Sequence, residues 1–366
     1  MTPSPEVEKA PEAAPSREIV DRVEAVLARG GLVALPTETV YGIAARADLP
    51  KAVVALRELK TRPGDLALTW HVGTRQALER FPGVSGPARR LADRYWPGPL
   101  TLVLPGIPAG LEAVALDGWT GVRMPAHRAT AGILERLPFP VVMSSANRHG
   151  DPPLSTAEAV VRAFPAAPKL ELVIDGGPAA LSESSCVLRV GGGRFEVLRE
   201  GLISLEQLRA AAGLHLGFVC TGNTCRSPMA EGLAKKRIAD RMGTTPERLA
   251  EFGYRIESMG VLAGHGVPAA RLAIQVMKEE GVDLGEHRSR AAAARDLASF
   301  DNVYCMTAGH REALARTLPP GKDRNLELLD PQGRDIPDPI GGTREDYLEA
   351  LRMIRDAVEA RLPAWA

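Results

Sequence analysis

The sequence predicts an α/β protein built from two domains, and three observations support that prediction. The chain has 366 residues, more than one ordinary domain of roughly 150 residues. Short apolar runs typical of buried strands alternate with amphipathic stretches typical of helices. A new apolar strand begins at Leu214, directly after a short helical stretch that ends at Gly213. The domain boundary is therefore predicted between residues 212 and 213, with almost no linker.

Residues 1–15 lack a periodic apolar pattern and are predicted to form a disordered tail, which leaves domains over 16–212 and 213–366. Ser16 is expected to cap a first helix that continues to Gly30. Strands of the first domain are predicted at 32–35, 100–104, 141–144, 172–174 and 186–190. In the second domain, strands are predicted at 214–219, 255–258 and 302–306, and a final helix at 345–362.

Composition and charge exclude several classes of protein. The 45 Lys and Arg residues balance 45 Asp and Glu residues, so no global field steers the chain toward nucleic acid or an anionic membrane. No apolar run approaches the roughly 18 residues of a membrane span, and the Pro- and Glu-rich N-terminus lacks the apolar core of a secretory signal. Four cysteines are too few for a disulfide framework. We therefore expect a cytoplasmic protein with no membrane partner.

The sharpest motif is the string CTGNTCRSP at residues 220–228, which follows an apolar strand and precedes a helical stretch. Backbone N–H groups in such a loop can converge on an oxyanion at a helix N-terminus. Cys220 would be the nucleophile, because this positive environment favours the thiolate. Arg226 would bind two phosphoryl oxygens as a fork. Asp338, in a proline-flanked loop, would protonate the leaving group.

The other residues of this loop would hold the phosphoryl group: Thr221, Gly222, Asn223, Thr224, Cys225 and Ser227. Gly222 and Asn223 would supply positive φ angles, and Ser227 would hydrogen-bond the leaving thiolate. Cys225 would be either a reversible disulfide partner of Cys220 under oxidation or a packed thiol. A merely structural cysteine after a strand is the competing interpretation, which the complete string and the distant DPIGG segment disfavour.

Residues 214–362 resemble the low-molecular-weight protein-tyrosine-phosphatase family. The resemblance implies a flavodoxin-like four-stranded parallel sheet with helices on both faces, a phosphocysteine on Cys220, no cofactor, and Asp338 acting as acid and then as base. Thr224, and Ile340-Gly341 in place of aromatic residues, resemble the protein-arginine-phosphatase branch, so phosphoarginine in proteins is the expected substrate and phosphotyrosine the alternative. Arsenate reductases share this loop, but the one later cysteine, Cys305, lies outside the relay segment at 280–300.

The first domain carries several short motifs rather than one decisive motif. They lie after or at the ends of predicted strands and helices: PTETVYG at 36–42, KTRP at 60–63, VRMP at 122–125, SSAN at 144–147 and VLREG at 197–201. Each motif alone is typical of a turn or a helix end. Together they supply the cations and hydroxyls that a triphosphate and a small zwitterion require.

In the order and spacing of these motifs, residues 17–205 resemble the threonylcarbamoyl-AMP synthase family, a YrdC-like domain with a twisted mixed sheet and helices. The resemblance implies condensation of L-threonine, bicarbonate and ATP to threonylcarbamoyl-AMP and pyrophosphate for the t6A37 modification of tRNA. Threonine and its carbamate would be bound by Thr39, His71, Arg123, Ser145 and Ser184. The nucleotide would be bound by Lys60, Arg62, Asn147, Ser155 and Arg199. Mg²⁺ would neutralise the triphosphate, and tRNA or the transfer machinery would be a partner.

Three positions depart from the family pattern. Leu66 replaces a usual asparagine, Ser185 follows Ser184 where threonine is common, and Trp119 replaces a small hydroxyl residue. The leading hypothesis is a bifunctional synthase and phosphatase that acts on phosphorylated proteins. The alternative is a degenerate nucleotide- or RNA-binding first domain that targets an active phosphatase.

Overall fold

A computed structural model describes residues 4–10, 14–60, 68–148, 150–167, 169–318 and 325–366. The chain divides into two compact units, Met1–Ala211 and Ala212–Ala366. The division falls one residue before the predicted boundary. Each unit contains its own β-sheet.

The first unit is built on a mixed ten-stranded sheet with the strand order β1-β8-β2-β3-β7-β4-β6-β5-β9-β10. Its strands are β1 (Glu6–Lys9), β2 (Leu32–Leu35), β3 (Gly42–Arg46), β4 (Thr69–His71), β5 (Leu100–Pro105), β6 (Trp119–Arg123), β7 (Val141–Ser145), β8 (Leu170–Asp175), β9 (Cys186–Gly191) and β10 (Arg194–Arg199). Strands β4 and β6 are parallel, whereas β7 pairs antiparallel with β4 and with β3. The mixed sheet predicted for this domain is thus confirmed.

In the described part of this unit, six α-helices accompany the sheet, with a 3-10 helix at Arg75–Arg80: α1 (Arg17–Ala28), α2 (Pro50–Leu59), α3 (Gly86–Tyr95), α4 (Arg128–Arg136), α5 (Ala157–Ala163) and α6 (Leu205–Ala212). The predicted cap of α1 is present, because Ser16 accepts a hydrogen bond from the Ile19 backbone N–H. The apolar face of α1, with Val23 and Leu27 buried, packs in one cluster with Val33 and Leu35 of β2. Burial of this face holds the first helix on the sheet.

The segment expected to be a disordered tail contains an ordered strand. β1 pairs parallel with β8, with Val7 opposite Val173. Arg22 of α1 forms ion pairs of 2.7 Å with Glu6 and with Glu8. Backbone pairing and surface charge therefore stabilise β1, and neither produces the apolar periodicity on which the expectation of disorder depended.

The second unit has the all-parallel strand order β12-β11-β13-β14. Its strands are β11 (His215–Cys220), β12 (Arg255–Gly260), β13 (Asn302–Cys305) and β14 (Leu326–Leu328), and its helices are α7 (Arg226–Met242), α8 (Arg271–Glu279), α9 (Ala294–Leu297), α10 (Ala308–Ala315) and α11 (Arg344–Trp365). The four-stranded parallel sheet agrees with the prediction.

Helices cover both faces of this second sheet. Successive residues of a strand point to opposite faces, so neighbouring strand residues contact different helices. On one face, Val219 and Cys305 pack with Leu297 of α9 and Leu314 of α10. On the other face, Phe218 and Tyr304 contact Trp365 of α11. Among the described residues, no helix combines the length and the apolar character needed to span a bilayer.

Candidate active sites

The first unit holds a cavity of about 540 Å³ on one face of its sheet. Alternate residues of neighbouring strands line it, because residues i and i+2 of a strand share a face. Pairs of this kind are Thr69 and His71 of β4, Gly121 and Arg123 of β6, Thr101 and Val103 of β5, and Met143 and Ser145 of β7. The sheet therefore brings together side chains that lie far apart in the sequence.

Arg123 is buried beneath this cavity in a charge-paired network. Its NH2 group donates to Glu38 Oε1 at 2.5 Å and to Thr39 Oγ1 at 2.8 Å, and its Nε donates to the Gly98 carbonyl at 3.2 Å. Glu38 also accepts from the Ala126 backbone N–H at 2.8 Å. These bonds fix the guanidinium plane, and within the described part of the chain they leave NH1 as the donor that an anionic group in the cavity can use.

His71 lies next to Arg123 and is uncharged at neutral pH. Burial, and then the positive charge of Arg123, lower the pKa of His71 to about 3. Its Nδ1 is 3.0 Å from the Thr69 carbonyl, so the proton of the neutral ring is assigned to Nδ1 and Nε2 is left as an acceptor. A neutral imidazole beside a guanidinium can accept from an ammonium or hydroxyl group.

This lowered pKa of His71 predicts acid sensitivity. Below pH 6.5 the histidine is protonated in the unfolded chain but stays neutral in the folded protein. The free energy of unfolding therefore falls by up to about 1.4 kcal/mol per pH unit between pH 6.5 and about 3. We expect His71→Gln to reduce this pH dependence. Urea unfolding followed by tryptophan fluorescence measures it, since Trp70, Trp96 and Trp119 lie in the first unit. An unchanged pH slope in the variant would contradict the assignment.

Lys60 places a buried cation at another wall of the cavity. It caps the C-terminus of α2 and is 4% exposed. Its Nζ donates to the hydroxyls of Ser144 and Ser145, each at 3.1 Å, and to the Ser145 carbonyl. The lysine and the two serines thus form one polar wall that can bind phosphate oxygens.

Arg199 forms a third cationic wall at the end of β10. It donates to the Ser185 carbonyl at 3.0 Å and to Ser185 Oγ at 2.9 Å, and Thr101 Oγ1 lies 3.0 Å from that hydroxyl. Burial and then nearby Arg123 lower the pKa of Arg199. Asn147 also lines the cavity, and its Oδ1 has no hydrogen-bond partner among the described residues. This buried amide oxygen therefore has an unused acceptor position.

Seven of the ten residues predicted for this site line the cavity: Lys60, His71, Arg123, Ser145, Asn147, Ser184 and Arg199. Thr39 lies behind the wall, fully buried and bonded to Arg123. Ser155 is not among the lining residues, and its carbonyl accepts from the Ala179 backbone N–H. Arg62 and Leu66 lie outside the described residues.

The second unit presents a tight loop, Thr221–Cys225, between β11 and α7. Asn223 adopts a positive φ of 55°, which its short polar side chain tolerates. Its Nδ2 donates to Ser227 Oγ at 3.0 Å and to Ser258 Oγ at 2.8 Å, and its Oδ1 accepts from the Arg290 backbone N–H. These bonds hold the left-handed residue in place.

Two glycines near this loop have different roles. Gly222 was expected to share the positive φ, but it lies outside the left-handed region. A Cβ on Gly222 would meet Thr224 Oγ1 at 3.6 Å, an ordinary contact. A Cβ on Gly260, at the end of β12, would lie 2.5 Å from the Thr221 carbonyl oxygen. Glycine at 260 therefore allows the loop to pack against the neighbouring strand.

Cys220 is positioned at the base of the loop and close to a hydroxyl donor. Its side chain is 2% exposed, and its Sγ lies 3.0 Å from Ser227 Oγ. Ser227 stands in the first turn of α7 and also contacts Asn223. A hydroxyl in this place can donate to a thiolate and stabilise its charge.

Arg226 and Asp338 meet at the mouth of the loop. Arg226 is 3% exposed, its NH1 donates to the Ile336 carbonyl at 3.0 Å, and its NH2 donates to Thr221 Oγ1 at 3.3 Å and to the Asp338 carboxylate. Its Nε is buried and has no partner among the described residues. A phosphoryl oxygen would provide the missing acceptor for Nε. The side chain of Asp338 is 36% exposed, so it can reach a leaving group.

Thr224 and Cys225 form the far side of the loop. Cys225 Sγ lies 3.7 Å from Thr224 Oγ1 and 3.3 Å from the hydroxyl of buried Tyr347 on α11. All four cysteines are free. Burial raises the pKa of the Cys225 thiol and, to about 12, that of Cys305. In this conformation Cys225 is a packed thiol, and Cys305 is a core residue of β13.

Sequence reasoning missed several residues of these sites. Glu38 stands beside Thr39 in the PTETVYG motif, so the sequence shows a carboxylate at this place. It does not show that this carboxylate pairs with the buried Arg123. His287, which contacts the Asn223 carbonyl at 2.7 Å, and Ser258 carry no local signal because the fold alone brings them to the loop.

Comparisons with known proteins divide the chain in the same way. The Sua5/YciO/YrdC family model, described as telomere recombination, matches residues 25–201, and the model described as low molecular weight phosphotyrosine protein phosphatase matches residues 215–366. The first half is 38% identical to the threonylcarbamoyl-AMP synthase of Pyrococcus abyssi, over 50% of this chain and 54% of that protein. It is 33% identical to a putative threonylcarbamoyl-AMP synthase of Mycobacterium tuberculosis, over 54% of this chain and 91% of that protein.

The second half matches a relative of a different kind. It is 34% identical to a protein-arginine-phosphatase of Geobacillus stearothermophilus, over 39% of this chain and 86% of that protein. The chain spans about half the length of the first synthases that it matches.

Proposed function

The chain belongs to the Sua5/YciO/YrdC family over its first half and to the low molecular weight phosphatase family over its second half, and on that premise we propose that it is a bifunctional enzyme. The first unit condenses L-threonine, bicarbonate and ATP to threonylcarbamoyl-AMP. The second unit hydrolyses phosphorylated protein side chains. The single observation that carries the proposal is the presence of two separately built anion sites, one around Lys60 and Arg123 and one around Cys220 and Arg226.

In the synthase unit, different polar walls of the cavity bind different substrates. Arg123 NH1 binds a carboxylate of threonine or its carbamate, and neutral His71 accepts a hydrogen bond from the same ligand. The amine of threonine combines with bicarbonate and loses water. The resulting carbamate oxygen then forms a bond to the α-phosphorus of ATP, and the bond from that phosphorus to pyrophosphate breaks. Lys60 and Arg199 stabilise the negative charge on the phosphates, mainly by positioning and electrostatics.

Mg²⁺ would accompany ATP in this reaction. Among the described residues, no group of three His, Cys, Asp or Glu side chains is placed to hold a metal ion. We propose that the triphosphate and water would supply most ligands, which suits a cation that keeps several waters. The product would pass to the machinery that modifies tRNA, and the need for a reduced thiol at Cys220 favours the cytoplasm.

In the phosphatase unit, the Cys220 thiolate attacks phosphorus and the bond to the leaving group breaks. Asp338 donates its proton to that leaving group, and Arg226 with the loop N–H groups binds the equatorial oxygens. Water then attacks the phosphocysteine, Asp338 removes its proton, and the thiolate leaves with the Ser227 hydroxyl as hydrogen-bond donor. Asp338 must exchange its present contact with Arg226 for one with the substrate.

We propose phosphoarginine as the preferred substrate of this unit. Thr224 is a polar residue on the wall of the loop, and Ile340, which is 63% exposed, replaces an aromatic wall after Asp338. Thr224→Ile is expected to reduce phosphoarginine turnover at least about tenfold, the loss typical of a removed polar contact in a transition state. Turnover of phosphotyrosine peptides should fall less or rise.

The measurement is a comparison of kcat/KM for a phosphoarginine protein and a phosphotyrosine peptide with the wild-type protein and the variant. Thr317→Ile gives a matched control, because Thr317 lies in the turn after α10 and its hydroxyl donates to the Leu314 carbonyl at 2.7 Å. Equal or faster hydrolysis of phosphotyrosine by the wild type, with no effect of Thr224→Ile, would contradict the preference and leave general phosphatase activity standing.

The alternative function, a degenerate binding module in the first half, requires loss of the polar walls. Trp119 does line the cavity, but the cations and hydroxyls of the polar walls remain together around it. Pyrophosphate release from ATP that depends on threonine and bicarbonate tests the two functions directly. No release by the purified protein would favour the binding module.

A further inference from the structure

A buried histidine contacts the phosphate-binding loop from a separate helix. His310 lies on α10 and is 7% exposed. Its Nε2 is 2.9 Å from Thr221 Oγ1, and its Nδ1 is 2.8 Å from Thr307 Oγ1. The chemistry proposed above uses neither His310 nor Thr307, and the residues of the contact are 89 positions apart in the chain.

The hydrogen bonds of this contact can be assigned as one chain that runs from Arg226 through Thr221 and His310 to Thr307. Arg226 NH2 can only donate, so Thr221 Oγ1 accepts its bond at 3.3 Å. We assign the Thr221 hydroxyl proton to the bond with His310 Nε2, which accepts, and the ring proton to Nδ1, which donates to Thr307 Oγ1. Burial and then the charge of Arg226 lower the pKa of His310, against smaller opposing effects of Asp338 and Asp335. The neutral ring that this direction requires is therefore the stable form at neutral pH.

The helix that carries His310 is itself tied to the segment before Asp338. The Ala308 backbone N–H donates to Asp335 Oδ1 at 2.7 Å, and the Ile336 backbone N–H donates to the Met306 carbonyl at 2.8 Å. Thr307 also caps α10 by accepting from the His310 backbone N–H at 3.3 Å. His310 thus stands at a fixed distance from both the loop and the arginine.

The contact matters most when substrate is bound. Arg226 NH2 is now held by Thr221 and by Asp338. Asp338 has to leave the guanidinium in order to protonate a leaving group. Thr221 is then the remaining anchor of NH2 in the described residues, and the orientation of its hydroxyl depends on His310.

We propose that His310 is a positioning residue of the phosphatase site, which orients the Arg226 guanidinium toward phosphoryl oxygens through Thr221. This inference rests on the phosphatase function proposed for the second unit. Loss of His310 leaves the Thr221 hydroxyl without its acceptor, so both Thr221 and Arg226 gain alternative orientations. Phosphate binding therefore weakens. The nucleophile Cys220 and the proton donor Asp338 are both still present, so the chemical step is affected less than binding.

The test compares His310→Ala, Thr221→Val and the double variant in the full chain. For His310→Ala we expect the Kd for inorganic phosphate, from calorimetry, and the KM for p-nitrophenyl phosphate to rise about tenfold, the effect of a lost hydrogen bond to a charged group. The value of kcat should fall less than about threefold. Thr221→Val should reproduce the same pattern, and the double variant should be no worse than either single variant.

His215→Ala is the matched control, because His215 lies at the other end of β11 and contacts the Ser299 carbonyl. It should leave Kd and KM unchanged. Unchanged phosphate binding in His310→Ala, additive losses in the double variant, or a loss confined to the unfolding midpoint would each overturn the proposal. The phosphate Kd needs no turnover, so a wild-type protein that hydrolyses nothing would refute the phosphatase function while the Kd values still decide the role of His310. Thr221→Val tests the same contact should His310→Ala fail to fold.

Discussion

Cys220→Ser is expected to abolish hydrolysis of phosphate esters and phosphoramidates by the full chain, with a loss of at least about 10⁴-fold in kcat. The reason lies in the surroundings of the Cys220 side chain. The Sγ of Cys220 lies at the base of the phosphate-binding loop, 3.0 Å from the Ser227 hydroxyl, which can donate a hydrogen bond to a thiolate. A serine hydroxyl is a much weaker acid than a thiol, so it keeps its proton at neutral pH and is a poor nucleophile. The measurement is single-turnover hydrolysis of p-nitrophenyl phosphate and of a phosphoarginine protein.

Two controls test whether this loss is specific to the nucleophile. Cys305→Ser changes a buried cysteine of the same sheet, 0% exposed in β13, and should retain phosphatase turnover. Cys220→Ser should still bind inorganic phosphate, because Arg226 and the loop N–H groups are unchanged. Residual turnover within about tenfold of the wild type would exclude a cysteine nucleophile at position 220.

Lys60→Met is expected to reduce pyrophosphate release by the synthase unit at least about 100-fold, the usual cost of removing one preorganised donor to developing charge. Methionine fills a similar volume, so the core around α2 is kept. The lost ammonium is the cation of the polar wall that Lys60 forms with Ser144 and Ser145, to whose hydroxyls it donates. Release of pyrophosphate from ATP with threonine and bicarbonate present measures the effect.

Lys51→Met is the matched control, because Lys51 is exposed at the start of the same helix and does not line the cavity. It should leave pyrophosphate release within about twofold of the wild type. A Lys60→Met protein that retains more than about a tenth of the wild-type rate would show that this cation does not stabilise the transition state.

Elements with strong local patterns could be predicted from the sequence. α1 has a Ser16 cap and buried apolar residues at helical spacing, and α11 buries Tyr347, Leu351, Ile354 and Val358 at the same spacing. The strand–loop–helix around Cys220 was predictable because its motif and its secondary structure coincide. In these segments local propensity and tertiary packing agree.

Other elements could not be predicted because their stability comes from distant partners. β1 has one apolar residue, Val7, and depends on pairing with β8 and on ion pairs to Arg22. β4 has three residues and is defined only by its pairing with β6 and β7. A three-residue strand has no measurable periodicity of its own.

The residues of the two sites likewise fall into those that the sequence indicates and those that only the fold brings together. Residues carried by motifs, such as Arg123 and Asp338, could be named in advance, although Thr39 turned out to support Arg123 from behind the cavity wall. The partners that orient these residues could not be named, since Glu38 meets Arg123 across 85 positions and His310 meets Thr221 across 89. Side-chain hydrogen bonds over such separations are products of the fold.

The central claim is that one chain carries two active sites that work independently. Both activities, measured on the same preparations of wild-type, Cys220→Ser and Lys60→Met protein, test it most directly. We expect the wild type to release pyrophosphate and to hydrolyse phosphoarginine, Cys220→Ser to lose only hydrolysis, and Lys60→Met to lose only pyrophosphate release. A wild-type protein that lacks either activity, or a variant that loses both while folded, would contradict the claim.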